Sequence, residues 1–180
     1  VELLRDPIWI GTKLAQMTRL QQVAVLPELI GGTEESAKLE WLRDWREDNP
    51  EEPTLIFTNY RRVAEIVAAQ HSAHLIIGGA PLPREWTKPT VVATIAAGSE
   101  ALDLAHLRTA IFLDTHWSHL KMEQALNRVH RLSSKEPVQT IYLTAQGTID
   151  ELILDAFQQK WDRYQLLRKY VESAHAGQSS

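Results

Sequence analysis

Short runs of β-branched and apolar residues alternate along the chain with segments in which apolar positions recur every three or four residues. The apolar runs are Thr54–Thr58, His74–Gly78, Thr90–Thr94, Thr109–Asp114 and Val138–Thr144. Continuous apolar runs of this length are typical of strands that are covered on both faces. The alternation therefore predicts an α/β fold, with helices on both faces of a parallel sheet and right-handed crossovers between the strands.

Helical periodicity predicts helices before, between and after these strands. A first helix is predicted over residues 7–26, ended by Pro27, and a second is capped by Thr33 and ends before the Asp-Asn-Pro at 48–50. Asn59 is expected to cap a helix after the first strand, and Thr148 to cap a long last helix.

Only residues 79–89 separate the second and third predicted strands, and this connection is too rich in proline for a crossover helix. We interpret the whole chain, residues 1–180, as one domain. Residues 1–50 would form a helical lead-in that packs on the sheet, and residues 175–180 a loose tail.

The segment 114–133 has the clearest two-sided pattern. On a helical wheel its apolar side holds Met122, Ala125, Leu126, Val129 and Leu132, and its polar side holds Gln124, Arg128 and Arg131. Guanidinium groups donate in a planar fork that fits phosphate oxygens, so this face could bind polyphosphate. The alternative is a solvated surface whose arginines pair with nearby acids.

Polar residues follow three of the predicted strands, in the segments 59–62, 94–103 and 114–117. Ligands of parallel α/β sheets bind beyond the carboxyl ends of the strands. These segments are therefore the candidate site.

Composition narrows the class of protein. The 180 residues include no cysteine, which excludes disulfides and thiolate metal sites and agrees with a reducing compartment. The net charge of −4 means that a nucleic-acid contact needs a local basic patch. No apolar run approaches a membrane span of about 18 residues, and the histidines lack a metal-ligand spacing. The start at Val1 suggests a fragment or a processed product.

Three segments, in this order, resemble motifs V and VI of superfamily 2 helicases. They are Thr94-Ile-Ala-Ala-Gly-Ser-Glu-Ala-Leu-Asp103-Leu, Ile111-Phe-Leu-Asp-Thr-His-Trp117 and Gln124-Ala-Leu-Asn-Arg-Val-His-Arg131. The Asp-x-x-Trp and Arg-x-His-Arg details are most similar to the Snf2 family of double-stranded-DNA translocases. Leu55–Thr58 resembles motif IV of the same family.

Two further segments resemble the flanks of that family's second lobe. Met17–Gln22 with Ser36-Ala-Lys38 is similar to its lead-in, and Gly147-Thr-Ile-Asp-Glu151 to the start of its trailing helix. The chain departs from the family after Ala97, where a Gly-Gly-x-Gly is usual, and after Arg131, where Ile-Gly-Gln is usual. Helical insertions typical of eukaryotic members are absent, which suggests a compact bacterial or phage version with a cytoplasmic location.

The resemblance implies that this chain is the second of two RecA-like lobes of a DNA motor. Arg128 and Arg131 would then be arginine fingers on the γ-phosphate of ATP, supported by Gln124. Gly98 and Asp103 would couple the nucleotide to strand contact. The residues that would contact the DNA backbone are Thr58, Asn59, Arg61, Arg62 and Thr94.

The same resemblance implies that ATP and Mg²⁺ are held mainly by an N-terminal RecA-like lobe of the same protein. This chain has no Gly-x-x-x-x-Gly-Lys-Ser/Thr loop and no Asp-Glu-x-His, so it is not expected to hydrolyse ATP alone. Its partners would be ATP, double-stranded DNA and the first lobe, and not a membrane. Two alternatives stay open: a non-catalytic α/β module that binds nucleic acid through Arg61 and Arg62, and a structural domain whose arginine face pairs with another subunit.

Overall fold

The fold is built on a five-stranded sheet in which every strand runs parallel to its neighbours. The computed structural model describes residues 13–33, 35–83, 85–97, 107–116, 118–132 and 138–160. Its strands are β1 (Thr54–Thr58), β2 (His74–Ile76), β3 (Thr90–Thr94), β4 (Thr109–Phe112) and β5 (Gln139–Tyr142). Their spatial order is β2-β3-β1-β4-β5, which puts β1 at the centre. The predicted parallel sheet is confirmed.

Five helices surround the sheet in the described ranges. They are α1 (Lys13–Val25), α2 (Ala37–Asp48), α3 (Arg61–Gln70), α4 (His119–Leu132) and α5, which begins at 149 and is described to 160. A single 3₁₀ turn, Pro27–Ile30, follows α1 and ends at Gly31, whose φ of +83° suits glycine. The predicted end of the first helix is thus confirmed, while its first residues, 7–12, and the tail at 175–180 lie outside the described residues.

Apolar side chains alternate between the two faces of the sheet because successive strand residues point in opposite directions. On one face, Ile56, Val92 and Ile111 pack with residues of α2 and α3 such as Leu42 and Val63. The other face carries Leu55, Phe57, Val91 and Phe112, packed with Met122 and Ala125 of α4 and with Phe157 of α5. Helices therefore cover both faces, as predicted.

Two predicted helix caps are wrong. α2 is capped by Ser36, whose hydroxyl accepts from the Leu39 backbone N–H, so Thr33 lies outside the helix. The cap position of α3 is Tyr60, which makes no side-chain cap, and Asn59 lies one residue earlier. The Asn59 side-chain NH2 group donates to Asp114, and its oxygen caps no helix. The prediction for the last helix holds: the Thr148 hydroxyl accepts from the Asp150 backbone N–H at 3.2 Å.

Three strands are shorter than predicted. The predicted runs to Gly78, Asp114 and Thr144 end in the sheet at Ile76, Phe112 and Tyr142. Apolar residues continue past each ladder because they cover the sheet edge: Ile77 and Leu113 are buried, and Leu143 packs against the same cluster.

The connection from β2 to β3 contains no helix in its described residues, 77–83 and 85–89, as its prolines predict. Trp86 lies in this connection and packs on the face that α4 covers, while α3 covers the opposite face. Its ring meets His74 edge to face, with centroids 5.4 Å apart. His74 also accepts hydrogen bonds from the backbone N–H groups of Thr87 and Lys88 at 3.0 and 3.2 Å. One aromatic side chain thus takes the place of a crossover helix.

Trp86→Ala should therefore lower the free energy of unfolding by about 2 to 4 kcal/mol, since truncating a large packed aromatic leaves a void. The matched control is Leu82→Ala in the same connection, where the side chain is 48% exposed and the cost should stay under about 0.5 kcal/mol. Urea denaturation of both variants measures the difference. Equal costs would show that Trp86 does not cover the sheet.

Candidate functional site

The carboxyl ends of β1 and β4 lie side by side at the centre of the sheet. Phe57 pairs with Phe112 in register, so the next residues, Thr58 and Leu113, lie side by side at this edge. Thr58 in turn pairs with Thr94 at the end of β3. The structure therefore brings together the polar segments that follow these three strands, as the sequence predicts.

Asp114 is the centre of this edge, and its side chain is almost fully buried. One carboxylate oxygen accepts from the Thr58 hydroxyl at 2.5 Å, and the other accepts from the backbone N–H and side-chain amide of Asn59. Burial raises the pKa of Asp114 from 3.8 to about 6, against the hydrogen bonds and Lys38, which act in the opposite direction. A donor set of this kind fits an ionised carboxylate.

A buried ion pair lies beside Asp114. The Lys38 ammonium of α2 contacts the Asp150 carboxylate of α5, and both side chains are no more than 5% exposed. Lys38 also donates to the backbone carbonyl of Leu113 at 2.7 Å. The same Asp150 oxygen accepts from the Ala145 backbone N–H at 3.1 Å. The pair therefore joins α2 and α5 to the end of β4.

The first helix reaches the same edge through Gln21, which is 1% exposed. Its amide donates to the backbone carbonyl of Thr115 at 2.5 Å, and its oxygen accepts from the Tyr60 hydroxyl at 3.1 Å. Asn59 donates to the same Thr115 carbonyl at 3.1 Å. We call the set formed by Gln21, Lys38, Thr58, Asn59, Asp114 and Asp150 the polar junction.

Of the residues predicted to contact DNA, two belong to the polar junction. Thr58 is fully buried, and Asn59 is half-buried with both side-chain protons of its amide directed at oxygens of residues 114 and 115. Thr94 is also buried, and its hydroxyl accepts from the Ala97 backbone N–H at 3.4 Å. Each of these side chains makes a hydrogen bond within the protein, although the Asn59 side-chain oxygen has no partner among the described residues. The prediction that they contact DNA stays a prediction.

Arg61 and Arg62, by contrast, are exposed at the first turn of α3, with side chains 66% and 67% accessible. Both lie near Glu65, at 2.9 and 3.8 Å. A surface ion pair of this kind contributes little and exchanges readily with another anion. They are the two predicted DNA contacts that a large ligand can reach.

The predicted phosphate-binding face lies on α4. Met122 and Ala125 are buried against the sheet and Gln124 is exposed, as the helical wheel predicts. Arg128 and Arg131 lie further along the same helix, and their side chains are outside the described part of the structure. Gly98 and Asp103, predicted to couple nucleotide and DNA, are also outside the described residues.

Sequence reasoning missed the roles of Gln21, Lys38 and Asp150. A usable signal was present for Lys38, which precedes Trp41, Leu42 and Trp45 at the i+3, i+4 and i+7 spacing of one helix face. A charged residue on an apolar face needs a buried partner. Its partner, Asp150, lies 112 positions further along the chain, and no local pattern links the two residues.

Neither a metal centre nor a membrane-spanning helix is found in the described ranges. No group of three or more His, Asp or Glu side chains there could hold a metal ion. None of the described helices is long and apolar enough to cross a membrane.

Among solved structures, the fold is similar to that of the C-terminal part of the Fun30 ATPase domain. The TM-score is 0.57 at 18% identity, and the match covers 77% of this chain and 53% of that one. The domain is thus a RecA-like α/β domain. No protein-family model matches the chain.

The relatives carry names from chromatin regulation, DNA repair and chromatin remodeling. A putative SWI/SNF-related regulator of chromatin, subfamily A member 3-like 1, from Arabidopsis thaliana is 26% identical over 142 residues, which cover 69% of this chain and 16% of that protein. The DNA repair protein RAD5 of Cryptococcus neoformans is 24% identical over 71% of this chain and 12% of its own length. The human chromatin-remodeling ATPase INO80 is 36% identical over 64 residues, 4% of its length. The chain therefore spans less than a fifth of these relatives.

These comparisons agree with the resemblance to the Snf2 family, and the fold is that of the C-terminal part of an ATPase domain. The match to the Arabidopsis protein takes in most of the chain, while the match to INO80 is confined to about a third of it. The relatives named here come from a plant, a fungus and human, so the bacterial or phage origin stays a prediction.

The buried carboxyl of Asp114 predicts a pH dependence of stability. Its pKa is about 6 in the folded protein and 3.8 as a free side chain, so the folded state binds more protons between these values and the free energy of unfolding falls as pH rises through them. The fall is about 3 kcal/mol and is complete above about pH 6. Asp114→Asn does not titrate, so the wild type should lose this amount relative to the variant between about pH 4 and pH 7.

Denaturation of both proteins across this pH range measures the divergence. Thr58→Val is the matched variant, because it removes a hydroxyl that lowers the pKa of Asp114. In Thr58→Val the pKa of Asp114 should be higher, so the fall in the free energy of unfolding should extend to higher pH than in the wild type. Parallel curves for wild type and Asp114→Asn would contradict the account of this carboxyl.

Proposed function

We propose that this chain is the second motor lobe of a two-lobed, DNA-dependent ATPase of the Snf2 type, a DNA translocase. The single observation that carries the proposal is the position of α4. It follows directly from the carboxyl end of the central strand pair and presents Gln124 away from the sheet, on a helix that also carries Arg128 and Arg131. The similarity to Snf2-type ATPases supports the same assignment.

Phosphoryl transfer spreads negative charge over the oxygens of the transferred group, and a guanidinium placed there stabilises the transition state. In the proposed mechanism Arg128 and Arg131 supply that charge across a cleft, and Gln124 supports them. Because the fingers come from a second lobe, hydrolysis requires the lobes to close. Closure thereby couples chemistry to movement along DNA.

ATP and Mg²⁺ would be held by the first lobe of the same protein. The described residues support this division: both oxygens of the buried Asp114 carboxylate accept from Thr58 and Asn59, and Asp150 is paired with the Lys38 ammonium. The proposal therefore gives this chain charge for the transition state and no ligands for Mg²⁺. A cytoplasmic location, with a bacterial or phage origin, is part of the same proposal.

DNA would lie along the carboxyl edge, with Arg61 and Arg62 as the accessible cations for its phosphates. The DNA backbone would also contact Thr58, Asn59 and Thr94 at that edge. Contact with DNA would be coupled to the nucleotide through Gly98 and Asp103. Double-stranded DNA is the proposed form, by similarity to the Snf2 type.

In the natural protein that carries this chain, Arg131→Ala and Arg128→Ala should each reduce DNA-stimulated ATP turnover by at least about a thousandfold, since an arginine finger contributes that much. The control is Lys121→Ala, which removes an exposed positive charge from the same helix and should leave turnover little changed. Steady-state hydrolysis with saturating DNA is the measurement. Full turnover in both arginine variants would refute the assignment of the fingers.

Arg61→Ala and Arg62→Ala should weaken DNA binding and reduce the slope of log affinity against log salt by about 1 each, because each removes one phosphate contact. Arg43→Ala is the matched control, since Arg43 is an exposed, ion-paired arginine of α2 at 49% exposure. Fluorescence titrations at several salt concentrations give the slopes. An effect of Arg43→Ala equal to theirs would mean that α3 is not the contact surface. Salt-dependent DNA binding without ATP turnover would instead favour the non-catalytic binding module.

A further inference from the structure

The short connection between β4 and α4 is held by side chains from three other parts of the chain. Lys38 of α2 donates to the Leu113 carbonyl, and Gln21 of α1 donates to the Thr115 carbonyl. Between them, the Asp114 side chain accepts from Thr58 and Asn59. Successive residues of this connection are thus fixed at their backbone or side-chain oxygens.

We propose that Gln21 and Lys38 are positioning residues for α4. Residues of the lead-in would set the direction in which this helix leaves the sheet, and with it the placement of Gln124, Arg128 and Arg131. This inference rests on the proposed function for its effect on ATP turnover. Its structural part, the restraint of residues 113–116, stands independently of that function.

The chemistry of the contacts argues for positioning rather than for packing alone. A buried ion pair contributes little net stability, because desolvation offsets most of its attraction, and an apolar pair of similar volume serves packing as well. Lys38 differs from an apolar residue in one respect: it donates a hydrogen bond to a fixed carbonyl. Gln21 is likewise a fully buried amide whose donor is directed at a single carbonyl oxygen.

Fixed geometry matters at this connection because α4 starts immediately after it. The His116 ring accepts from the Ser118 backbone N–H at 2.8 Å, and the Ser118 carbonyl accepts from Met122 within the first turn of the helix. A shift at residues 113–115 is therefore carried into the helix axis. Misplacing a catalytic group by about 1 Å can cost about a hundredfold in rate.

The test uses two variants of the natural protein that remove a donor without leaving a buried charge. Gln21→Met keeps the length of the side chain, and its control is Gln22→Met, the same change at the next position, where the side chain bonds Arg19 at the surface. Lys38→Met alone leaves Asp150 as an unpaired buried charge and should destabilise the fold. Adding Asp150→Asn neutralises that charge and keeps an oxygen for the Ala145 N–H.

The first readout is amide hydrogen exchange of peptides spanning residues 113–116. Exchange should rise about tenfold in Gln21→Met and in Lys38→Met/Asp150→Asn, and should not change in Gln22→Met. The double variant should recover the stability lost by Lys38→Met and yet keep the raised exchange. Unchanged exchange in both test variants would overturn the inference, whatever the protein does with ATP.

The second readout is DNA-stimulated ATP turnover of the same proteins. Both test variants should lower kcat about tenfold or more with KM for ATP little changed, because the first lobe binds the nucleotide. Recovery of full kcat together with stability in the double variant would mean that Lys38 is only structural. If Arg131→Ala leaves turnover intact, the proposed function fails, and the exchange result still decides the positioning role.

Discussion

The structure depends on how it accommodates one buried carboxylate at the end of its central strands. Asp114 lies where β1 and β4 leave the sheet, and an ionised carboxylate at such depth is costly unless its oxygens are hydrogen-bonded. Thr58 and Asn59 supply those donors from the neighbouring strand end. The requirement to satisfy this group fixes the local conformation after both strands, which is where parallel sheets bind ligands.

The polar junction also joins helices α1 and α2 to the carboxyl edge of the sheet. Apolar packing of α2 against the sheet would tolerate small shifts, whereas the contacts of Lys38 with Asp150 and the Leu113 carbonyl require one arrangement. Gln21 adds a second directed contact, from α1 to Thr115. Helices that precede the sheet in sequence thereby contact the connection that leads into the helix proposed to carry the arginine fingers.

The sequence predicts what depends on local pattern and misses what depends on distant partners. Strand positions and the two faces of α4 were predicted because apolar periodicity reports burial directly, as Met122 and Gln124 illustrate. The cap at Asn59 was wrong because the helix begins one residue later than expected and the Asn59 side chain is oriented toward Asp114, a partner 55 positions away that no local rule considers. Lys38 and Asp150 were missed for the same reason. The cover supplied by Trp86 follows from three-dimensional topology and not from the proline-rich sequence around it.

The central claim is that this domain completes an ATPase whose nucleotide is held by another lobe. Its most direct test is DNA-stimulated ATP hydrolysis by the isolated 180-residue chain, by the natural protein that carries it, and by that protein without this domain. We predict ATP hydrolysis by the natural protein, and none by the isolated chain or by the protein that lacks this domain. Hydrolysis by the isolated chain, or undiminished hydrolysis after the domain is removed, would contradict it.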